Sequence, residues 1–181
     1  GRPAGDAGRP PVVVNLSTTR AVEDVCREHA TPVERSPVGE ASVTARMRET
    51  GALLGGEGNG GVILRDLNFT RDALVAISAV LGLRSSSKQP LSVHSDRIPD
   101  YRMIKTTLSL GRDHYAARVD VLANRLGPAR VDRSDGIKLD GDDWWIHIRP
   151  SNTEPVIRII AEAKGRSPAP EVEKARALLA G

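Results

Sequence analysis

At 181 residues the chain can form one large or two small domains, and 39% hydrophobic against 27% charged residues is the balance of a folded globular protein. Its net charge of +3 (pI about 9.3) comes from interleaved acids and bases, so no long basic run marks a nucleic-acid binder. No apolar stretch reaches the ~18 residues of a membrane span, no signal peptide is read at the start, and the single Cys26 excludes an internal disulfide and fits a reducing cytoplasm. With 3% aromatics, the core must be aliphatic.

Gly1 to Pro11 has no periodicity and reads as a loop or severed linker. The chain does not begin with Met, which suits a piece of a longer protein. Val12 to Leu16 predicts a short buried strand, followed by Ser17, Thr18 and Thr19 as candidate N-caps. Val22, Val25, Cys26 and His29 then recur at helical spacing, which completes a strand–helix unit. Cys26 is expected to be a small buried residue of that face, and His29 a helix-end residue. Ser36-Pro37-Val38-Gly39-Glu40 introduces a second helix, with Val43 and Met47 inward and Gly51 as its stop.

Next, two short apolar runs bracket a glycine-rich loop, Gly55-Gly56-Glu57-Gly58-Asn59-Gly60-Gly61. Gly56, Gly58 and Gly61 match G-x-G-x-x-G, but a dinucleotide site needs that motif to open a helix, and Val62-Ile63-Leu64 reads as a strand. A carboxylate among bare glycines can accept hydrogen bonds from adjacent sugar hydroxyls, since no side chains block the approach. The alternative is a turn with a solvated glutamate.

Asn68 to Leu83 predicts a helix with Thr70 as cap, Asp72 in the first turn, and Ala73, Leu74, Ile77, Val80 and Leu81 as its apolar stripe. Ser85 to Pro90 breaks the pattern, so residues 1–86 form a first domain, 87–98 a linker with His94 solvated, and 99–181 a second domain. Tyr101 to Leu110 reads as a strand. Asp113 caps a helix with Tyr115, Val119, Leu122 and Leu126 on one face, ended by Gly127 and Pro128. Ile137 and Leu139 form a strand that turns at Asp140-Gly141 into Trp144. Asp140, Asp142 and Asp143 invite a Mg²⁺ reading, but at a hairpin tip a solvated turn is favoured. Ser167-Pro168 opens a last helix with Val172, Ala175 and Leu179 inward. The expected fold is thus α/β and α+β: a partial three-layer α/β domain, then a small α+β domain with an antiparallel sheet.

Between the last two strands lies Arg149-Pro150-Ser151-Asn152-Thr153-Glu154-Pro155, with Arg158 three residues on. Arg149 offers a permanently charged fork of donors, and Ser151, Asn152 and Thr153 offer short side-chain donors and backbone N–H groups. Two prolines stiffen the loop, and Arg158 can close it. Such a loop can hold a phosphate, and the alternative is an ordinary polar hairpin turn. Glu154 is expected to face away, towards an arginine.

This loop resembles the phosphate-binding loop of the α-D-phosphohexomutases, and Gly55 to Ile63 resembles their sugar-binding loop, in which Glu and a Ser or Asn two residues later contact ring hydroxyls. Val38-Gly39-Glu40 followed by Met47 resembles the preceding family segment. The three matches stand in family order and cover essentially the whole chain. They imply a C-terminal half only: the later part of domain three, then domain four. The family's phosphorylated serine lies in a Thr-Ala-Ser-His-Asn-Pro-like segment, and its metal loop reads Asp-Gly-Asp-x-Asp-Arg. Neither is in this chain, so no catalytic residue and no metal ligand is assigned here. Mg²⁺ belongs to the intact enzyme.

The resemblance further implies 1,6-phosphoryl transfer on hexose phosphates. Glu57 and Asn59 would orient the sugar, and Arg149, Ser151, Asn152, Thr153 and Arg158 would grip the distal phosphate. The partners are then a hexose phosphate and the missing N-terminal half, with no nucleic acid and no membrane, in the cytoplasm. A non-catalytic sugar-phosphate-binding or regulatory protein is the alternative. Two departures stand out: Gly61 where many members have His, and Pro37 where many have Lys.

Overall fold

A computed structural model describes residues 9–127, 129–151 and 153–181, and the chain divides into two compact units, Gly1–Pro99 and Asp100–Gly181. The first unit runs β1 (Val12–Asn15), α1 (Ala21–Glu28), β2 (Val33–Ser36), α2 (Glu40–Thr50), β3 (Leu54–Gly56), β4 (Val62–Leu64), α3 (Ala73–Ser87) and α4 (Leu91–Ser95). The sheet order is β2-β1-β3-β4, with β1 parallel to β2 and β3, and β4 antiparallel to β3. From β1 the chain crosses to β2 on one side, then returns past β1 to β3 on the other. Right-handed crossovers in opposite directions set α1 and α2 on opposite faces.

On the α2 face, Val13, Val43, Met47, Ala52 and Ile63 form a closed core. Helix α2 stops at Gly51, whose φ of 70° suits a residue without Cβ. Strand β2 has no counterpart in the sequence reading, because Val33-Glu34-Arg35-Ser36 carries two charges in four residues.

Helix α1 turns a different side to the sheet than the apolar spacing predicts. Ala21 and Asp24 are buried, whereas Val25 is 38% exposed and Cys26 half-buried. The reason is electrostatic: Arg35 on β2 donates through Nε to Glu23 Oε1 (2.9 Å) and through Nη1 to the carbonyls of Asn15 (2.9 Å) and Thr18 (2.6 Å), which draws the acidic side inward. Burial, and then Glu23 nearby, push the Cys26 thiol pKa up, so it is a poor nucleophile.

Helix α3 is capped by Asp72 and not by Thr70. The Asp72 carboxylate accepts from the N–H groups of Leu74 (2.7 Å) and Val75 (3.4 Å). None of its predicted stripe is buried, and Leu74 is 71% exposed. The helix is apolar on nearly every side, so no one face is selected. His94 is half-buried: α4 turns it back onto the end of α3, with Nε2 2.9 Å from Ser87 Oγ.

The second unit runs β5 (Tyr101–Leu108), α5 (Arg112–Arg125), β6 (Arg130–Asp132), β7 (Ile137–Asp140), β8 (Trp144–Pro150), β9 (Ile157–Lys164) and α6 (Ala169–Ala180). Its strands form an antiparallel sheet in the order β5-β9-β8-β7-β6. Gly111 is the N-cap of α5, and Asp113, the predicted cap, stands in the first turn. Pro128 lies outside the described residues. One sheet face carries Ile137, Leu139, Ile146, Ile148, Ile157, Ile159 and Ala161, packed with Tyr115 and Leu122 of α5 and Val172, Ala175 and Leu179 of α6. Strand alternation sends Lys138, Trp145, His147, Arg149 and Glu162 to the other face, where they too are buried.

Candidate functional site

The glycine-rich loop hangs from the C-terminal ends of the parallel strands. Glu57 follows β3 directly, and its side chain is only 7% exposed. Oε1 accepts from Asn15 Nδ2 (3.0 Å) at the end of β1 and from the Gly39 N–H (3.0 Å) at the start of α2. Oε2 faces Arg71 Nη1 at 3.2 Å. Asn15 is fixed in turn, because its Oδ1 accepts from the Ser17 N–H and the Thr18 hydroxyl, both at 3.0 Å. The carboxylate is therefore aimed by three separate elements rather than solvated in a turn. It still has acceptor capacity, since two carboxylate oxygens offer about four lone-pair sites.

Asn59 is exposed at the loop tip, its Oδ1 accepting from the Gly61 N–H (3.4 Å). Gly60 stands at φ 91°, which an L side chain would strain. Arg71 bridges to Glu40, with Nε donating to Oε2 (2.9 Å). The Thr70 side chain, and then Arg71, hold the Glu40 carboxyl below its ordinary range.

In the second unit, the β8–β9 hairpin sets Arg149 directly opposite Arg158 on one face. Arg149 is buried and donates through Nε to Asp135 Oδ1 (3.0 Å). Among the described residues, its two terminal nitrogens have no partner. Arg158 is more open and pairs with Glu154 Oε2 at 3.1 Å. Ser151 is buried, its N–H donating to Val156 O (2.8 Å) and its Oγ accepting from the Thr153 N–H (3.4 Å). Those two backbone donors would be free only if the loop turned away from the ladder. The loop folds on itself and uses them, so the side chains carry the donor capacity. Thr153 is exposed, and Asn152 lies outside the described residues.

Beside Arg149, His147 Nε2 lies 2.6 Å from the Asp135 carbonyl, which can only accept, so Nε2 carries a proton. Burial, more than the nearby cations, lowers its pKa below the ordinary 6.5. The unfolded chain then binds the extra proton more readily. Stability is complete above about pH 6.5 and falls as pH drops from there towards the depressed folded value, by up to about 1.4 kcal/mol per pH unit. Urea midpoints between about pH 7.5 and 5 are expected to show this fall, and His147→Gln to flatten it.

Sequence reading missed Asn15, Gly39 and Arg71 around Glu57, and Asp135 and Arg112 at the hairpin. Arg112 donates to Ser151 O (2.9 Å) from the first turn of α5. The Asp72 cap was a usable signal for Arg71, since a residue just outside a helix start is held in place. The tip residues Asp140 and Asp143 are engaged: Asp140 takes Lys138 (3.4 Å) and Asp143 takes Arg166 (2.7 Å). The glutamate loop and the arginine hairpin each belong to their own unit.

Residues 3–101 match the family described as "Phosphoglucomutase/phosphomannomutase, alpha/beta/alpha domain III", and residues 107–178 match "Phosphoglucomutase/phosphomannomutase, C-terminal domain". A phosphoglucomutase/phosphomannomutase of Thermococcus kodakarensis is 33% identical over 162 residues, which is 88% of this chain and 35% of that protein. A probable phosphoglucosamine mutase of Methanopyrus kandleri is 32% identical, over 89% of this chain and 36% of that one. The crystal structure of a phosphoglucomutase/phosphomannomutase family protein from Burkholderia thailandensis superposes with a TM-score of 0.77 at 25% identity, covering 96% of this chain and 38% of that one. The chain thus spans about a third of the length of the relatives it matches. With both domain matches in order over nearly all of its residues, the chain belongs to the phosphoglucomutase/phosphomannomutase family and carries its domain III and C-terminal domain.

Proposed function

We infer that the chain is the sugar- and phosphate-gripping part of a phosphohexomutase, one that moves a phosphoryl group between the 1- and 6-positions of a hexose phosphate. Glu57 and Asn59 orient the ring. Arg149, Arg158, Thr153, Ser151 and Asn152 hold the phosphate that is not reacting, so that remote binding energy positions the reacting end. The observation that supports this most is the register that sets Arg149 opposite Arg158, one guanidinium fixed by Asp135 and the other held by an exposed carboxylate. An exposed pair is worth about 0–1 kcal/mol, so a dianionic phosphate can displace Glu154 at little cost. Stretch 87–98 is the joint between the sugar-binding and phosphate-binding parts.

The phosphoserine and the Mg²⁺ that intact family enzymes use fall to polypeptide beyond this sequence. Among the described residues no group of three or more His, Cys, Asp or Glu is placed to hold a metal, and Asp140 and Asp143 are tied to cations. The described residues therefore do not fit Mg²⁺.

Nuclear magnetic resonance titration tests the inference. Glucose 6-phosphate is expected to shift amides at residues 57–61 and 151–158, inorganic phosphate only the second set and glucose only the first. No shifts in either set up to about 10 mM would overturn it. The chain alone is expected not to convert glucose 1-phosphate into glucose 6-phosphate, and measurable turnover would sink the division of labour.

A further inference from the structure

Arg71 stands just before the Asp72 cap of α3 and lies across the glycine loop. A Cβ placed on Gly61 would run into Arg71 Cδ and sit 2.8 Å from Arg71 Cγ and 3.0 Å from Arg71 Cβ. The obstacle is the aliphatic stem of Arg71 from Cβ to Cδ, whose far end is held by Glu40 and Glu57. Beyond that stem, the guanidinium is fixed by two carboxylates, through Nε to Glu40 Oε2 (2.9 Å) and Nη1 to Glu57 Oε2 (3.2 Å). The Arg71 N–H also reaches Glu40 Oε1 (3.3 Å). Among the described residues nothing accepts from Nη2. The side chain is 37% exposed and lines a cavity of about 380 Å³ with Glu40, Asn59, Gly60, Gly61 and Ala73.

We propose that Arg71 contacts substrate and sets specificity: Nη2 donates to a hydroxyl oxygen of the hexose phosphate whose neighbouring hydroxyls Glu57 engages. Gly61 is bare because the Arg71 stem fills its side-chain space, so the donor at this edge of the loop comes from position 71 and not from position 61. This rests on the sugar-loop role inferred above for Glu57. The two carboxylates clamp the fork before substrate arrives, so little side-chain entropy is lost on binding. Because one volume serves both groups, an imidazole at position 61 and an arginine at position 71 exclude each other.

Calorimetric titration of glucose 6-phosphate into the 181-residue chain and its variants tests this, with melting followed in parallel. Arg71→Lys keeps a cation for Glu40 and Glu57 but has no fork. It is expected to melt close to the parent and to bind about tenfold more weakly. A purely structural role for Arg71 would instead leave affinity unchanged in Arg71→Lys. Gly61→His is expected to melt lower than the parent. Gly61→His combined with Arg71→Ala is expected to recover the melt and to bind more tightly than Arg71→Ala alone. Parent-like affinity in Arg71→Lys, or a double variant no better than Arg71→Ala, overturns the proposal while the sugar-loop role stands. A parent chain that binds no hexose phosphate overturns both. If Arg71→Ala fails to fold, Arg71→Lys decides by itself.

Discussion

Glu57→Ala is expected to destabilise the first unit by about 3 kcal/mol and to abolish sugar-dependent amide shifts in the 57–61 loop. The carboxylate is nearly buried and satisfies the Asn15 amide, the Gly39 N–H and one arm of Arg71. Truncation leaves all three donors facing one another across a void. Glu57→Gln keeps an acceptor for Asn15 and Gly39 but loses the charge opposite Arg71, and is expected to cost only about 1 kcal/mol. Urea unfolding of the two variants checks the difference. Equal, small losses in both would mean that Glu57 is solvated and that the three-element clamp does not exist.

Arg149→Ala is expected to weaken binding of glucose 6-phosphate by roughly 10- to 150-fold, the span of one hydrogen bond to a charged group. It should also cost the second unit about 2–4 kcal/mol, because the largely covered Asp135 carboxylate would lose its ion pair with Arg149. Arg149→Lys restores the charge and not the fork, so stability should recover further than affinity. Arg158→Ala separates the two effects, since its partner Glu154 is 60% exposed and stability should hardly change. Calorimetry and denaturation on the same three proteins provide both readouts. Undiminished affinity in Arg149→Ala would remove the guanidinium from the phosphate site.

Several elements were legible because the signal was local. Gly51 ends α2 at positive φ, Asp140-Gly141 turns β7 into β8, and the alternation from Trp144 to Arg149 separates the two sheet faces. Both loops could be read for the same reason, since each carries its donors or acceptor within a few residues. What escaped the reading depends on contacts distant in the chain. Strand β2 is hidden by its charges, and β6 is a three-residue edge strand. The rotation of α1 follows from Arg35 reaching Glu23 twelve residues away. Arg71 is fixed by Glu40 and Glu57, 31 and 14 positions upstream, and no period or propensity encodes such a meeting. The exposure of α3 was equally invisible, because an apolar helix does not announce which side, if any, is covered.

The reversal of strand order at β1 has a bearing on how this frame changes over time. Where successive crossovers diverge, the loops beyond β1 and β3 part and leave a crevice that needs no hole in the sheet. Glu57 and Thr18 line a cavity there, and Asn15 at the end of β1 joins them by hydrogen bonds. An exposed loop residue such as Asn59 can therefore change while the hydrogen-bonded ladder below stays intact, whereas Glu57 and Asn15, bonded to each other, change singly only at a cost. Relatives named phosphoglucomutase/phosphomannomutase and phosphoglucosamine mutase can then share one frame without refolding.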